Sequence, residues 1–354
     1  MQLGERLKSS RQGAGLSLRA LAERVGVSAQ AISKYERNED MPGSGVLLRL
    51  SDALGVSIEY LLRPQTVTLT EPVYRRHRSS MTRRAEIHVQ AQVQDWLERY
   101  TTIECLLGEE RSFVMPTFSR QVAHLDQVED VAIALREAWQ LGLDAIPNLT
   151  ETLEAVGIKV GFVPGNDHFD ALSLVANGVT PVIVVKQDAP GDRQRFSMAH
   201  ELAHLVLDLP ETWSEARVEQ AANRFAAAFL VAKPTVFNEL GWRRHSLDLV
   251  ELHLLKQKYG LSMQGWVHRA QDLAIISPQT AQKLYRTFRS QGWHITEPGA
   301  PYPCESSTRL ERLVLRALRD DVIGPERAAE LLGKPLTQFM IEVQRPHEEI
   351  PLRY

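Results

Sequence analysis

The sequence predicts a mainly α-helical chain with a small β-sheet, an α+β fold. Three observations lead to this class. Apolar residues recur at helical spacing through most of the 354 residues, whereas short β-branched runs are confined to residues 160–185. The first 63 residues contain a helix, a glycine turn and a second helix. Residues 276–354 again have only helical patterns, so we expect an all-α amino-terminal bundle, a mixed central domain and a helical carboxyl-terminal region.

Composition is that of an ordinary globular protein, with 44% hydrophobic and 24% charged residues. The length predicts two or three domains. No apolar run is long enough to span a bilayer and no signal peptide precedes the first helix, so we expect a cytoplasmic protein without a membrane partner. Cys105 and Cys304 are far apart and fit no metal spacing, as expected in a reducing compartment.

The amino-terminal segment has two short helices around a glycine turn. We expect a helix over Leu18 to Arg24, a turn at Gly26 and Val27, and a second helix capped by Ser28. The polar face of that second helix suits contacts with DNA bases and phosphates. The predicted DNA-binding residues are Ser28, Gln30, Ser33, Lys34 and Arg37.

Residues 1–63, completed by a third apolar stretch at 46–62, resemble the XRE-type (phage-repressor-like) helix-turn-helix family. The sequence departs from the family at Leu18, where glutamine is common. The resemblance implies a double-stranded DNA operator and a homodimer on a palindromic site; a helical protein-interaction domain is the alternative. The matching runs are Leu21-Ala22-Glu23-Arg24-Val25-Gly26-Val27-Ser28 and Ile32-Ser33-Lys34-Tyr35-Glu36-Arg37-Asn38.

Positive charge is concentrated at the amino-terminal end. Residues 1–84 contain 14 Lys and Arg against 8 Asp and Glu, a net charge of +6, which leaves −9 for the rest of a chain whose total is −3. This is where a polyanion would bind. A basic run after the bundle either follows DNA phosphates or is a solvated linker. It consists of Arg75, Arg76, His77, Arg78, Arg83 and Arg84.

An H-E-x-x-H pattern, His200-Glu201-Leu202-Ala203-His204, lies within an apolar run that predicts a buried helix. Positions i and i+4 share one helix face, so the two imidazoles can bind one metal ion. Glu201 lies one step round the helix, where it can reach a metal-bound water. The alternative is a pair of surface histidines beside a salt-bridging glutamate, but the apolar neighbours favour the metal.

A third ligand is expected from the following helix, 215–231, whose alanines allow close packing on the first. Glu219 flanks its apolar stripe, and Asn223 lies one turn further along the same side. Asn223 is a candidate to support the ligands. Asp208, at i+4 from His204, either accepts a hydrogen bond from an imidazole or is a helix-terminal charge. Two carboxylates at or before the helix start compete with Glu219: Glu211 and Glu215.

Residues 126–275 resemble the ImmA/IrrE family of metallopeptidases, which implies a zincin-like domain. The resemblance implies Zn²⁺ bound by His200, His204 and Glu219, with Glu201 as the general base. An edge strand near the metal would then align an extended substrate. The matching runs are Arg193-Gln194-Arg195-Phe196-Ser197-Met198-Ala199-His200-Glu201-Leu202-Ala203-His204, Glu219-Gln220-Ala221-Ala222-Asn223-Arg224-Phe225-Ala226-Ala227, Phe169 to Ser173 and Pro181 to Val185.

The two resemblances together imply a transcriptional regulator with a fused zinc endopeptidase, acting in the cytoplasm on the nucleoid. Its output would be stress, phage or toxin–antitoxin genes, controlled by proteolysis of a repressor or of the chain itself, and a toxin is a candidate partner. One alternative is a repressor or antitoxin whose peptidase-like domain is a silent sensor of a ligand or partner. Another is a protease that acts in trans and uses DNA binding for localisation.

Domain boundaries follow from changes in composition. We expect the helix-turn-helix domain at 1–63, a basic linker at 64–80, a linker helix and connector at 81–125, the metallopeptidase domain at 126–275 and a helical region at 276–354. Predicted strands are 160–163, 171–175 and 182–185. Further predicted helices are 81–107, 128–141, 149–156, 247–259, 263–273, 310–318 and 325–332.

Overall fold

The computed structural model describes residues 3–64, 66–70, 83–164 and 169–344. The chain forms two compact units. One unit comprises Met1–Thr68, Thr82–Arg111 and Ser307–Tyr354, and the other comprises Leu69–Met81 and Ser112–Ser306. Most of the predicted linker and of its basic run lies outside the described residues. Within the described part of the chain, no helix is both long enough and apolar enough to cross a bilayer.

Five helices form the amino-terminal bundle of the first unit, as the sequence predicts for this region. Serine side chains cap three of them: the hydroxyls of Ser17, Ser28 and Ser57 each accept a hydrogen bond from an amide in the first turn. Gly26 adopts a left-handed conformation, φ 70°, that ends the second helix and makes the turn to the third. The helices are α1 (Leu3–Gly13), α2 (Leu18–Val25), α3 (Ala29–Glu36), α4 (Ser44–Leu54) and α5 (Ile58–Leu62).

The first unit also contains a long helix and the carboxyl-terminal helices. Helix α6 (Arg83–Leu107) packs against α1, where the buried Arg6 guanidinium donates to the buried Glu98 carboxylate. Arg63, at the end of α5, bridges Asp95 on α6 and Glu330, at 3.0 Å in each case. These helices are α6 (Arg83–Leu107), α15 (Arg309–Arg319), α16 (Pro325–Leu332) and α17 (Leu336–Gln344).

A small mixed sheet forms one layer of the second unit. Its strand order is β1-β3-β4-β2; β2 and β4 are parallel, whereas β3 is antiparallel to both of its neighbours. The three strands predicted from sequence are confirmed, and β1 is an addition. The strands are β1 (Leu69–Thr70), β2 (Lys159–Val163), β3 (Ala171–Ala176) and β4 (Thr180–Lys186).

Helices complete the second unit around an apolar core. Helix α9 lies against β3 and β4 and packs on α10, which in turn packs on α7. A Cβ at Gly191, the first residue of α9, would lie 1.9 Å from the Pro303 carbonyl oxygen, so this close approach requires glycine. The helices are α7 (Gln127–Ala138), α8 (Leu149–Ala155), α9 (Gly191–Val206), α10 (Glu215–Leu230), α11 (Lys233–Leu240), α12 (Leu249–Tyr259), α13 (Met263–Asp272) and α14 (Pro278–Ser290).

Candidate functional site

Two closely packed helices, α9 and α10, bring the predicted metal ligands together. Alanines on both helices are fully or almost fully buried, among them Ala203 on α9 and Ala222 and Ala226 on α10. Because alanine adds little bulk between the helix axes, the side chains that flank this contact can meet. His200 and His204 come from α9, and the carboxylate of Glu219 comes from the second turn of α10.

The three candidate ligands face one another with short donor separations. His200 Nε2 lies 3.2 Å from His204 Nε2 and 3.2 Å from Glu219 Oε2, and His204 Nε2 lies 3.6 Å from Glu219 Oε1. The two imidazole rings are 4.9 Å apart and inclined at 78°. Within the described part of the chain, these side chains form the one group of His, Cys, Asp and Glu that could hold a metal ion.

This spacing fits a tetrahedral metal. Zinc bonds of about 2.0–2.2 Å place neighbouring donors of a tetrahedron about 3.3–3.6 Å apart. The observed separations of 3.2, 3.2 and 3.6 Å match those edges closely. Two imidazoles and one carboxylate are a ligand set of catalytic zinc sites, in which a fourth position stays open. The residues present therefore fit zinc.

Asn223 fixes the orientation of one imidazole. Its Oδ1 lies 3.0 Å from His200 Nδ1, one turn along α10 from Glu219. With Nδ1 protonated and donating to this oxygen, Nε2 keeps its lone pair for a metal. Asn223 therefore lies against one of the candidate ligands, and its role in supporting a bound metal stays a prediction.

Glu201 is buried and held by a serine from the sheet. Its Oε2 accepts a hydrogen bond of 2.6 Å from the hydroxyl of Ser173, a buried residue of β3. One carboxylate oxygen is thereby fixed by the sheet. Sequence reasoning assigned no role to Ser173. The available signal is a hydroxyl within a run of buried apolar strand residues, because such a group needs a hydrogen-bond partner.

The surroundings of His200 act on its pKa in opposite directions. Burial lowers the pKa, whereas the hydrogen bond with Glu219, the charges of Glu201 and Glu219, and the contact with Asn223 raise it; the net result is a raised pKa. The site is therefore electronegative and favours a positive charge between these side chains.

Asp208 lies away from the position that helical spacing predicts. Helix α9 ends at Val206 because Leu207 is extended, with φ −73° and ψ 131°. Asp208 is exposed, and its backbone pairs with the chain near Gln121: its amide donates to Arg120 and its carbonyl accepts from Val122. The i+4 relation to His204 therefore extends beyond the last helical residue, and the role of Asp208 beside the imidazole stays a prediction.

The predicted DNA-binding side chains lie on or next to α3. Gln30 and Lys34 are exposed on the helix. Ser28 caps the helix, with its hydroxyl accepting from the Ala31 amide at 3.0 Å. Ser33 and Arg37 bind each other, and Arg37 also pairs with Glu39 at 2.6 Å. The unpaired polar surface of α3 is therefore centred on Gln30 and Lys34, and the contacts with DNA remain a prediction.

Comparisons with known proteins agree with both regions. Residues 7–61 match the family described as helix-turn-helix, and residues 153–271 match the peptidase M78 family, described as the IrrE N-terminal-like domain. The second match contains every residue of the candidate metal site.

Three curated relatives are similar to part of the chain. The HTH-type transcriptional regulator ImmR of Bacillus subtilis (strain 168) is 40% identical over 68 residues, which are 19% of this chain and 54% of the relative. Repressor protein C2 of Salmonella phage P22 is 39% identical over 75 residues, or 21% of this chain and 35% of the relative. The uncharacterized SPbeta prophage-derived HTH-type transcriptional regulator YonR of Bacillus subtilis (strain 168) is 40% identical over 60 residues, which are 17% of this chain and 56% of the relative.

The chain thus spans between 35% and 56% of the length of these relatives. The metal-site region is matched by the family comparison. Fold, site geometry and comparisons agree that this chain combines a helix-turn-helix domain of the XRE type with an IrrE-like domain of the peptidase M78 family.

Proposed function

We propose that the chain is a DNA-binding transcriptional regulator whose IrrE-like domain is a zinc-dependent endopeptidase. The observation that carries the proposal is the convergence of His200, His204 and Glu219 within 3.6 Å, with the Glu201 carboxylate one residue along the same helix. A site for metal binding alone needs no buried carboxylate beside its ligands. The presence of Glu201 therefore favours hydrolysis over a purely structural ion.

The residues of the site have different proposed roles. His200, His204 and Glu219 would hold the ion, which when bound supplies Lewis acidity and lowers the pKa of a water towards neutrality. Glu201 accepts a proton from the water that attacks the peptide carbonyl and delivers it to the departing amine. Ser173 binds one oxygen of that carboxylate, which leaves the other available for the proton transfer.

A polypeptide is the substrate class that the sheet favours. Strand β3 carries Ser173, and among the described residues β1 pairs only with Val175 and Ala176 on its outer side, so an extended peptide can pair with the preceding residues through main-chain hydrogen bonds. We propose a helix-turn-helix repressor, or this chain itself, as the substrate. The genes controlled would be of the stress, phage or toxin–antitoxin type, with a toxin as a further candidate partner.

Operator binding is the second part of the proposal. Exposed Gln30 and Lys34 on α3, together with the net charge of +6 over residues 1–84, support binding to double-stranded DNA. We propose that a homodimer binds a palindromic operator on the nucleoid in the cytoplasm. The printed names of the relatives, a transcriptional regulator and a phage repressor, support the same assignment.

Peptidase activity is tested with the purified full chain, zinc and operator DNA, with and without a repressor encoded beside it. Electrophoresis and mass spectrometry then detect fragments. We expect cleavage that Glu201→Gln abolishes while its zinc content stays equal to that of the parent chain. Cleavage that survives this substitution would point to a contaminating protease. Full zinc occupancy without a fragment would favour the silent sensor.

DNA binding is tested with a radiolabelled operator at several salt concentrations. Lys34→Ala should weaken binding and reduce the salt slope by about 1, whereas Gln30→Ala should mainly relax sequence preference. Lys233→Ala, which removes an exposed lysine from the second unit, is the matched control. Unchanged binding by Gln30→Ala and Lys34→Ala combined would move DNA recognition away from α3.

A further inference from the structure

Strand β3 has one fully paired side and one partly paired side. On one side, β4 pairs with every residue of β3, from Ala171 to Ala176. On the other side, β1 pairs only at its carboxyl-terminal end, with Leu69 opposite Ala176 and Thr70 opposite Val175. Among the described residues, the outer edge of β3 from Ala171 to Leu174 has no strand partner. In the part of the chain that the structure describes, this edge is therefore occupied over two of the six residues of β3.

The strand on that edge comes from a distant part of the sequence and pairs with β3 through two residues. Thr70 and Val175 are 105 positions apart, and the Thr70 hydroxyl donates to the Val175 carbonyl at 3.3 Å. Thr70 is exposed and Leu69 is half-buried. Two residue pairs contribute little stability on their own. Among the described residues, the departure of β1 would cost the sheet only these two pairs.

The occupied part of the edge adjoins the proposed general base. Ser173, which binds Glu201 at 2.6 Å, lies two residues from Val175 along β3. Two strand residues span about 7 Å. A peptide paired along this edge would therefore pass Ser173, and its final positions would coincide with those of β1.

We propose that β1 is a tethered competitor: Leu69–Thr70 occupies, in antiparallel pairing, part of the edge that an extended polypeptide uses to reach the site. The proposal rests on the endopeptidase function only for the identity of the displaced ligand as a substrate. It gives the chain a built-in inhibition, because a substrate binds fully only when β1 leaves β3.

The tether sets the size of the expected effect. A segment attached to the same chain acts at an effective concentration on the order of 1 mM, so a segment whose own untethered Kd for the edge is on the order of 0.1 mM weakens a competing peptide about tenfold. Removing the pairing capacity of β1 should therefore tighten peptide binding by about that factor. Changing a side chain without disturbing the backbone pairing should not.

The test measures binding without hydrolysis, in the full chain carrying Glu201→Gln. The probe is a fluorescein-labelled synthetic peptide with the sequence of residues 66–71, followed by fluorescence polarisation. Leu69→Pro combined with Thr70→Pro removes two backbone donors and weakens pairing. Thr70→Val is the matched control, since it keeps the backbone donor and a β-branched side chain.

We expect the double proline variant to bind the probe about tenfold more tightly than the parent, and Thr70→Val to bind like the parent. Hydrogen exchange over residues 171–176 should accelerate in the proline variant and slow again when the probe is added. Equal affinities in all three proteins, or no probe binding by the proline variant, would overturn the proposal. If the double variant loses its thermal transition, Thr70→Pro alone, at an exposed position, takes its place.

The outcome is independent of the proposed chemistry. Probe binding and hydrogen exchange need neither zinc nor turnover, so a protein that never cleaves a substrate still reports whether β1 occupies a peptide-binding edge. Conversely, zinc-dependent cleavage with equal probe affinities would leave the endopeptidase function intact and remove the tethered competitor.

Discussion

Zinc should stabilise the second unit strongly, and the stabilisation should depend on His204. The perturbation is addition of Zn²⁺ to metal-stripped full chain, compared with the same addition to His204→Ala. Three donors separated by 3.2 to 3.6 Å are already in place in the folded chain, whereas the unfolded chain has no such arrangement. The ion therefore binds the folded state preferentially and raises the free energy of unfolding.

The magnitude follows from the ligand set and the size of the unit. At free zinc 1,000-fold above the Kd, binding adds about 4 kcal/mol to the free energy of unfolding. The second unit has about 200 residues. For a domain of that size each kcal/mol raises Tm by about 2–4 °C, so the shift should be about 8–16 °C.

Differential scanning calorimetry measures this shift as a rise in the transition temperature. His204→Ala removes one of the three ligands and should lose most of the shift. His124→Ala, which removes an exposed histidine of the second unit, should retain it. Equal shifts in the parent and in His204→Ala would refute the assignment of the metal to α9 and α10, as would a parent chain that zinc does not stabilise.

Three further predictions concern the second unit. Ser173→Ala removes a hydrogen bond of about 1.5–3 kcal/mol to the Glu201 carboxylate and should lower kcat about tenfold or more at constant KM. Ser173→Thr should restore part of the rate. Steady-state kinetics in which KM alone changed would contradict this prediction. His268 donates to Asp272 at 3.0 Å, and this hydrogen bond, against the opposing effect of burial, raises the His268 pKa. That pair stabilises the folded chain below about pH 6.5 and loses its effect as pH rises through the raised pKa. In urea denaturation, His268→Gln should therefore lower the free energy of unfolding by under about 1 kcal/mol at pH 5.5 and leave it unchanged at pH 8.5. An equal loss at both pH values would show that the pair with Asp272 does not stabilise the fold. The buried Arg136 side chain donates to three backbone carbonyls. Arg136→Met should therefore lower the free energy of unfolding by about 3 kcal/mol or more. A urea midpoint within error of the parent would disprove this stabilising role of Arg136.

The two candidate metal ligands on α9 were predictable because their geometry is local. His200 and His204 share a helix face by spacing alone, and the apolar residues around them predict α9. Ser28 was recognisable as a cap for the same reason, since the cap and its amide are three residues apart. The third ligand, Glu219, required the resemblance to a family as well as the spacing on α10.

Contacts between distant segments were not predictable. Ser173 reaches Glu201 only because β3 and α9 are packed in one particular register, which hydrophobic periodicity does not fix. Asp208 illustrates a second limit. Sequence patterns place helix ends only approximately, and α9 ends at Val206, two residues before the position at which the interpretation assumed helical i+4 spacing.

The partners of the long helix α6 were also beyond sequence reasoning. Its apolar residues predict a helix, but they do not say which surface it covers. In the structure it covers α1, and the carboxylate of Glu98 meets Arg6 across 92 positions of sequence. Strand β1 is similarly unpredictable, because a two-residue strand carries no periodic signal.

The first unit is built from three separate segments of the chain, and this has a consequence for regulation by proteolysis. The amino-terminal bundle is joined to α6 and α16 by the buried contact between Arg6 and Glu98 and by the two ion pairs of Arg63. Breaking the backbone between Thr70 and Arg83 would sever the covalent link and leave these non-covalent ones. The product would be a nicked complex in which α3 is still held on the same support, so hydrolysis alone would not release the proposed operator. Derepression would then be timed by dissociation of the two fragments rather than by the bond-breaking step.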